Sequence, residues 1–217
     1  MISFISFAVL FASVIAEAHP PRLQPYSSWT NVWPNRPEPT PYKQSFSCSY
    51  LGGGPTATID AGVVLGTTTS LPAATATVNK FLGIPFAKSP PERFSPPESP
   101  GKFSKPINAT AWSPACIQQF VYPKASQEFV EHVFNNPAPA ESEDCLYLNV
   151  YAPSTPAPAD GRTVMFWIYG GSLQFGNAGQ HAYDGSWFAS YEDVIIVTTN
   201  YRTNGTLRRK DRATSQS

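Results

Sequence analysis

All of the prolines in this 217-residue chain fall between Pro20 and Pro158, and they number 23, about twice the usual share. Proline lacks the backbone N–H that helices and sheet interiors need, so regular hydrogen-bonded structure is expected late in the chain and loops early. Residues 19–54 combine a proline cluster with Gly52-Gly53-Gly54 and show neither strand nor helix periodicity. They read as an extended linker. Apolar residues make up 41% and aromatic residues 13%, enough for part of the chain to build a core. Fifteen basic residues balance fifteen acidic ones, and this even balance gives nucleic acid no electrostatic footprint.

Ile2 to Ala16 is an apolar run broken only by serines, followed by the small-x-small sequence Ala16-Glu17-Ala18. Residues 1–18 are therefore expected to be a secretory signal, and the chain a secreted, extracellular protein. No other stretch is long and apolar enough for a membrane span. An oxidising compartment suits a disulfide between two of the three cysteines, Cys48, Cys116 and Cys145. A Cys116–Cys145 bridge would contribute about 3 to 4 kcal/mol on the chain-entropy estimate and would leave Cys48 odd. No cysteine or histidine cluster has metal-ligand spacing, so neither metal nor cofactor is expected. Asn108-Ala109-Thr110 and Asn204-Gly205-Thr206 are glycosylation sequons, relevant if the chain enters the secretory path.

Thr56–Leu65 and Thr75–Leu82 read as the two strands of a hairpin, and Gln127–Phe134 as a two-turn amphipathic helix. Three short apolar runs, Leu146–Tyr151, Thr163–Ile168 and Val194–Thr199, read as strands buried on both faces. The stretch 170–193 is long enough for a crossover with a short helix at Ser186–Tyr191, as a parallel pair requires. The expected class is α/β.

Six segments then appear in a fixed order. They are Phe81-Leu82-Gly83-Ile84-Pro85-Phe86-Ala87, Arg93-Phe94, Pro114-Ala115-Cys116-Ile117-Gln118, Ser142 through Tyr151 around Glu143-Asp144-Cys145, Phe166 through Ser172, and Asn200-Tyr201-Arg202. This series, over residues 55–204, resembles the type-B carboxylesterase/lipase family of α/β-hydrolases, which includes cholinesterases and secreted fungal lipases. The resemblance implies the N-terminal part of an α/β-hydrolase fold: a truncated, mostly parallel sheet with an N-terminal β-hairpin. It also implies a Cys116–Cys145 disulfide and a partly buried structural ion pair between Arg93 and Glu143.

The turn Tyr169-Gly170-Gly171-Ser172 matches the family's oxyanion turn, which assigns the backbone N–H groups of Gly171 and Ser172 as donors and Tyr169 and Gly170 as support. Relatives often have glycine where Ser172 stands, but a backbone donor survives that change. An esterase of this family also needs a Gly-x-Ser-x-Gly elbow, then an acid and a histidine. This sequence contains no such elbow, and its histidines are His19, His132 and His181. A triad of Ser172, His181 and Asp184 can be drawn on paper, with nothing but sequence proximity behind it.

After Asn204 the resemblance gives way to a polar, basic end, 205–217, expected to be read-through at a gene-model boundary. The chain is thus expected to be a fragment of a secreted serine carboxylic-ester hydrolase, inactive alone, acting on small-molecule or lipid esters once complete. The alternative is a non-catalytic secreted binding module of the same family. In the family's strand order the strand before the oxyanion turn has a further neighbour beyond this sequence. Poor solubility follows from its unpaired edge.

Overall fold

The computed structural model describes residues 48–204 apart from 52, 75, 121–122 and 137. The expected signal segment 1–18, almost all of the linker 19–54 and the end 205–217 lie outside the described residues. Nine strands run in the order β1 (Cys48–Leu51), β2 (Gly54–Ile59), β3 (Gly62–Leu65), β4 (Thr67–Thr69), β5 (Val78–Pro85), β6 (Ile107–Asn108), β7 (Tyr147–Pro153), β8 (Val164–Ile168) and β9 (Ile195–Thr199). Helix α1 (Lys124–Phe134) precedes β7, and helix α2 (Ser186–Tyr191) lies between β8 and β9. One sheet has the order β1-β2-β3-β6 and the other β4-β5-β7-β9-β8.

The expected N-terminal hairpin exists, with different strands. Residues 54–65 fold back on themselves as β2 and β3, pairing Ile59 with Gly62 across Asp60-Ala61. Between the two expected strands, Thr67–Thr69 make β4, which pairs antiparallel with β5. Threonine is at home in a pleated strand, and that preference wins over the turn signal of Leu71-Pro72 downstream. Helix α1 starts three residues earlier than expected, immediately after Pro123, whose missing N–H no helical bond requires.

Strand β5 joins two clusters of the core. Val78 and Leu82 pack with Tyr151, Ala189 and Ile196, whereas Phe81 and Ile84 pack with Val64 and Ala109. A register shift between Phe81 and Ile84 interrupts the ladder with β7. At Gly83, inside that shift, φ is +73° and a Cβ would sit 2.8 Å from the Ala111 carbonyl oxygen. Its N–H donates to Asn149 Oδ1 at 2.9 Å, which fixes the bulge.

The expectation of a mostly parallel sheet is corrected. Only β8–β9 is parallel in the five-stranded sheet; β4–β5, β5–β7 and β7–β9 are antiparallel. Apolar runs report burial and say nothing about strand direction: β7 carries one and pairs antiparallel with both neighbours. The class is mixed α/β. Strand β8 also departs from the expected cover: all five of its residues are exposed, from 46% at Trp167 to 62% at Ile168. It is the edge strand next to β9, so the described residues leave its outer N–H and C=O row unpaired and cover its faces only in part, Trp167 meeting the Tyr183 ring at 5.4 Å. Trp187, Phe188 and Tyr191 of α2 add further exposed aromatic surface.

This edge makes a prediction. Phe166→Lys places a charge on the uncovered strand and should change folding stability by no more than about 0.5 kcal/mol while raising the monomer fraction in size-exclusion chromatography. A large loss of stability would mean that β8 is covered.

Candidate functional site

The chain leaves β8 at Ile168 and turns sharply. Gly171 has φ +131°, Ser172 +56° and Leu173 +60°. The N–H groups of Gln174 and Phe175 both donate back to the Gly171 carbonyl, at 2.9 and 3.3 Å. A Cβ on Gly171 would lie 2.0 Å from the Phe175 carbonyl oxygen, and one on Gly176 would lie 2.6 Å from the Tyr169 ring. Those two positions are glycine for want of space, whereas Gly170 faces open solvent. Ser172 occupies the left-handed region, the strained option for a residue with a side chain. Among the described residues no acceptor takes the N–H of Gly171 or of Ser172. Two adjacent backbone donors therefore stand unused at the C-terminal end of a parallel strand, the side of an α/β sheet where ligands bind.

Two tyrosines hold the turn from behind. Tyr169 is buried and stacks on Tyr201 with ring centroids 4.3 Å apart. The Tyr169 hydroxyl donates to the Tyr201 carbonyl at 3.2 Å, and the Tyr201 hydroxyl donates to the Tyr169 carbonyl at 2.9 Å. Burial pushes both phenols above their ordinary range, so both remain protonated donors through neutral pH. From the other side, Gln118 Oε1 accepts the Gly176 N–H at 2.7 Å and the Gln119 N–H donates to the Gln174 carbonyl at 2.9 Å. That loop is anchored by the Cys116–Cys145 disulfide, whose Cα atoms are 5.0 Å apart and whose residues are both buried. Cys48 lies in β1.

Arg93 and Glu143 form an ion pair beside the disulfide. The pair is partly buried on one side only: Glu143 is half-buried and Arg93 is 64% exposed, so solvent screens their attraction. The bond to Glu143 holds the guanidinium above its ordinary pKa, which changes nothing for a group already always charged.

Ser172, His181 and Asp184 do not form a relay. Asp184 accepts from Lys80 Nζ at 2.7 Å and from the Ser186 N–H at 2.9 Å, while the His181 ring meets Trp112 edge-on at 5.2 Å. His132 is exposed on α1. Among the described residues no group of three or more His, Cys, Asp or Glu could hold a metal ion. The concavity lined by Lys88, Pro90, Pro91, Glu92, Pro96 and Glu98, about 330 Å³, contains neither a turn residue nor a nucleophile. Asn108 is exposed on β6, and Asn204 is half-buried. The supports at Gln118 and Tyr201 are visible in the sequence only as members of motifs; nothing in a single sequence marks Gln118 as the acceptor for a glycine 58 residues further along the chain.

Comparison with known proteins places this geometry in context. A family model described as "Carboxylesterase family" matches residues 53–207. The protein named cocaine esterase from Homo sapiens is 41% identical over 152 residues, covering 68% of this chain and 26% of that protein. Carboxylesterase 5A from Canis lupus familiaris is 41% identical over 143 residues, covering 65% and 24%. The medium-chain fatty acyl-CoA hydrolase precursor from Anas platyrhynchos is 38% identical over 143 residues, covering 65% and 25%. The chain thus spans about a quarter of the length of these curated relatives.

Two predictions follow from the turn and from its neighbour. Gly171→Ala should cost about 2 to 4 kcal/mol in urea unfolding, through backbone strain and the clash with Phe175, against no more than about 0.5 kcal/mol for Gly170→Ala. Equal costs would contradict the placement of Gly171. Burial opposes ionisation of Asp184, but the bonds from Lys80 and Ser186 outweigh it and hold the carboxyl below its ordinary value of 3.8. Its contribution is complete above that value and is lost as pH falls through the lower folded-state value. Asp184→Asn should therefore lose about 2 kcal/mol at pH 7 and flatten the acid limb below pH 3.8, measured by urea unfolding across pH. An unchanged acid limb would assign that limb to other carboxylates.

Proposed function

The chain belongs to the carboxylesterase family, and from that premise we propose that it supplies the oxyanion-binding turn of a secreted serine carboxylic-ester hydrolase built on the α/β-hydrolase fold. The observation that carries this reading is the pair of unaccepted N–H groups at Gly171 and Ser172, on a turn held rigid from both sides. When a serine oxygen adds to an ester carbonyl, the carbonyl oxygen gains a full negative charge. Two preorganised amides pointing at that oxygen stabilise the tetrahedral intermediate more than the planar ester, and so lower the barrier. Tyr169 supports the turn from behind, and Gly170 leaves its outer side open. Arg93, Glu143 and the Cys116–Cys145 bridge steady the loops behind them.

The nucleophile, its acid and its histidine are assigned to sequence other than these 217 residues, so this chain alone should not turn over an ester. Ester substrates are supported by the relatives, an esterase and an acyl-CoA hydrolase among them. Secretion is supported by the apolar run at residues 2–16 and by the disulfide, which persists in oxidising compartments. The alternative, a non-catalytic binding module, requires a stable soluble monomer; the uncovered apolar edge at β8 weighs against it.

The test is to sequence the message across codon 204 and to assay its longest product on p-nitrophenyl esters. That product should carry a Gly-x-Ser-x-Gly elbow and hydrolyse the ester. Gly171→Ala in it, whose Cβ would displace the backbone donors, should lower kcat by about 10² to 10³ with KM little changed, the signature of a misplaced transition-state donor. An active product indifferent to Gly171→Ala would refute the oxyanion role, and a message that ends at Ser217 in every read would refute the hydrolase.

A further inference from the structure

The turn is also held by a residue that sequence marks as a glycan acceptor. The Asn204 N–H donates to the Leu173 carbonyl at 2.9 Å. Its side-chain Nδ2 donates to the Gln174 and Ile117 carbonyls, each at 3.0 Å. A carboxamide has two N–H hydrogens, and both are used. Thr203, fully buried, adds a bond from its hydroxyl to the same Ile117 carbonyl. One side chain thus ties the turn to the loop that follows Cys116. Asn204 has φ +58°, a conformation asparagine tolerates better than most residues with a side chain.

N-glycosylation exchanges one Nδ2 hydrogen for a bond to the anomeric carbon of an oligosaccharide carried on a lipid pyrophosphate. The lipid pyrophosphate leaves and the displaced hydrogen departs as a proton. A single N–H then remains for two carbonyls, and the sugar has to occupy the space in which one of those carbonyls sits. Asn108, in the other sequon, has an exposed side chain on a two-residue strand at the edge of its sheet.

We propose that Asn204 is a modification-sensitive clamp on the oxyanion turn: its free carboxamide holds residues 173–174, and an N-glycan at Asn204 excludes the held turn. Of the two sequons, only Asn108 carries glycan in the folded protein. The importance of the clamp rests on the oxyanion and secretory readings above, and its glycan arm applies to the 217-residue chain, whose sequon needs Gly205 and Thr206; the contacts of the Asn204 carboxamide depend on neither.

The full chain, made with its own N-terminus in a eukaryotic secretory host, is mapped for glycan at both sequons by peptide mass spectrometry. Hydrogen exchange of the Gln174 and Phe175 amides is measured on each glycoform. In parallel, Asn204→Asp and Thr206→Ala chains are made in a bacterial periplasm, which adds no such glycan. Glycan at Asn108 alone on slowly exchanging molecules is expected. Asn204→Asp should speed exchange at 174–175 about tenfold, the worth of one to two hydrogen bonds, and Thr206→Ala, which keeps the carboxamide, should not. Glycan at Asn204 on molecules with full protection, unchanged exchange in Asn204→Asp, or a loss shared equally by β7 and β9 would each overturn the clamp. No glycan at either site, with faster exchange in Asn204→Asp, would support the clamp and refute secretion instead.

Discussion

Two places where a methyl group cannot fit govern this structure. At Gly171 the Phe175 carbonyl, and at Gly176 the Tyr169 ring, occupy the volume a Cβ would need. Closing the backbone that tightly turns the Gly171 carbonyl inward, where Gln174 and Phe175 donate to it, and among the described residues leaves the amides of Gly171 and Ser172 without acceptors. The outward Ser172 N–H follows from the closure, since the trans peptide between Gly171 and Ser172 points its N–H opposite its carbonyl. Such a turn is strained at Ser172 and Leu173, and it persists because the surroundings over-determine it.

The surroundings are polar where an ordinary core would be apolar. Stacked Tyr169 and Tyr201 exchange hydroxyl bonds, Gln118 accepts from Gly176, and Asn200 fixes the end of β9 through Ala178 and Pro114. Each side chain satisfies a backbone group that the irregular turn would otherwise bury unpaired. Rigidity bought this way is directional, which suits a site that must hold donors at a fixed point better than apolar packing would. The sheet contributes position: β8 beside β9 in parallel register carries the turn to one end. That same strand is the exposed edge, so the part of the molecule nearest the proposed chemistry is also the part least covered by these residues.

Much of this was legible in the amino-acid sequence, for identifiable reasons. The strands at 147–153, 164–168 and 195–199 and the helix at 186–191 announce themselves because short β-branched and aromatic runs and a crossover of suitable length have few other readings. Strand direction was illegible, because β7 buries itself against an antiparallel partner with the same residues a parallel one would want. The hairpin was misplaced because Asp60-Ala61-Gly62 turns the chain without the proline or paired glycine that mark most turns. The Cys116–Cys145 bridge came from family likeness, since three cysteines allow other pairings. The exposure of Arg93 depends on what packs over it, which no local pattern encodes. The structural duty of Asn204 was hidden behind its sequon.

The most direct measurement is the amide exchange rate at four consecutive positions of the turn in the ¹⁵N-labelled full chain. Gly171 and Ser172 should exchange close to the rates of an unstructured peptide, while Gln174 and Phe175, bonded to the Gly171 carbonyl, are slowed by about a hundredfold or more. Protection of Gly171 and Ser172 equal to that of their neighbours would mean that their N–H groups already have acceptors, and no oxyanion could be held there.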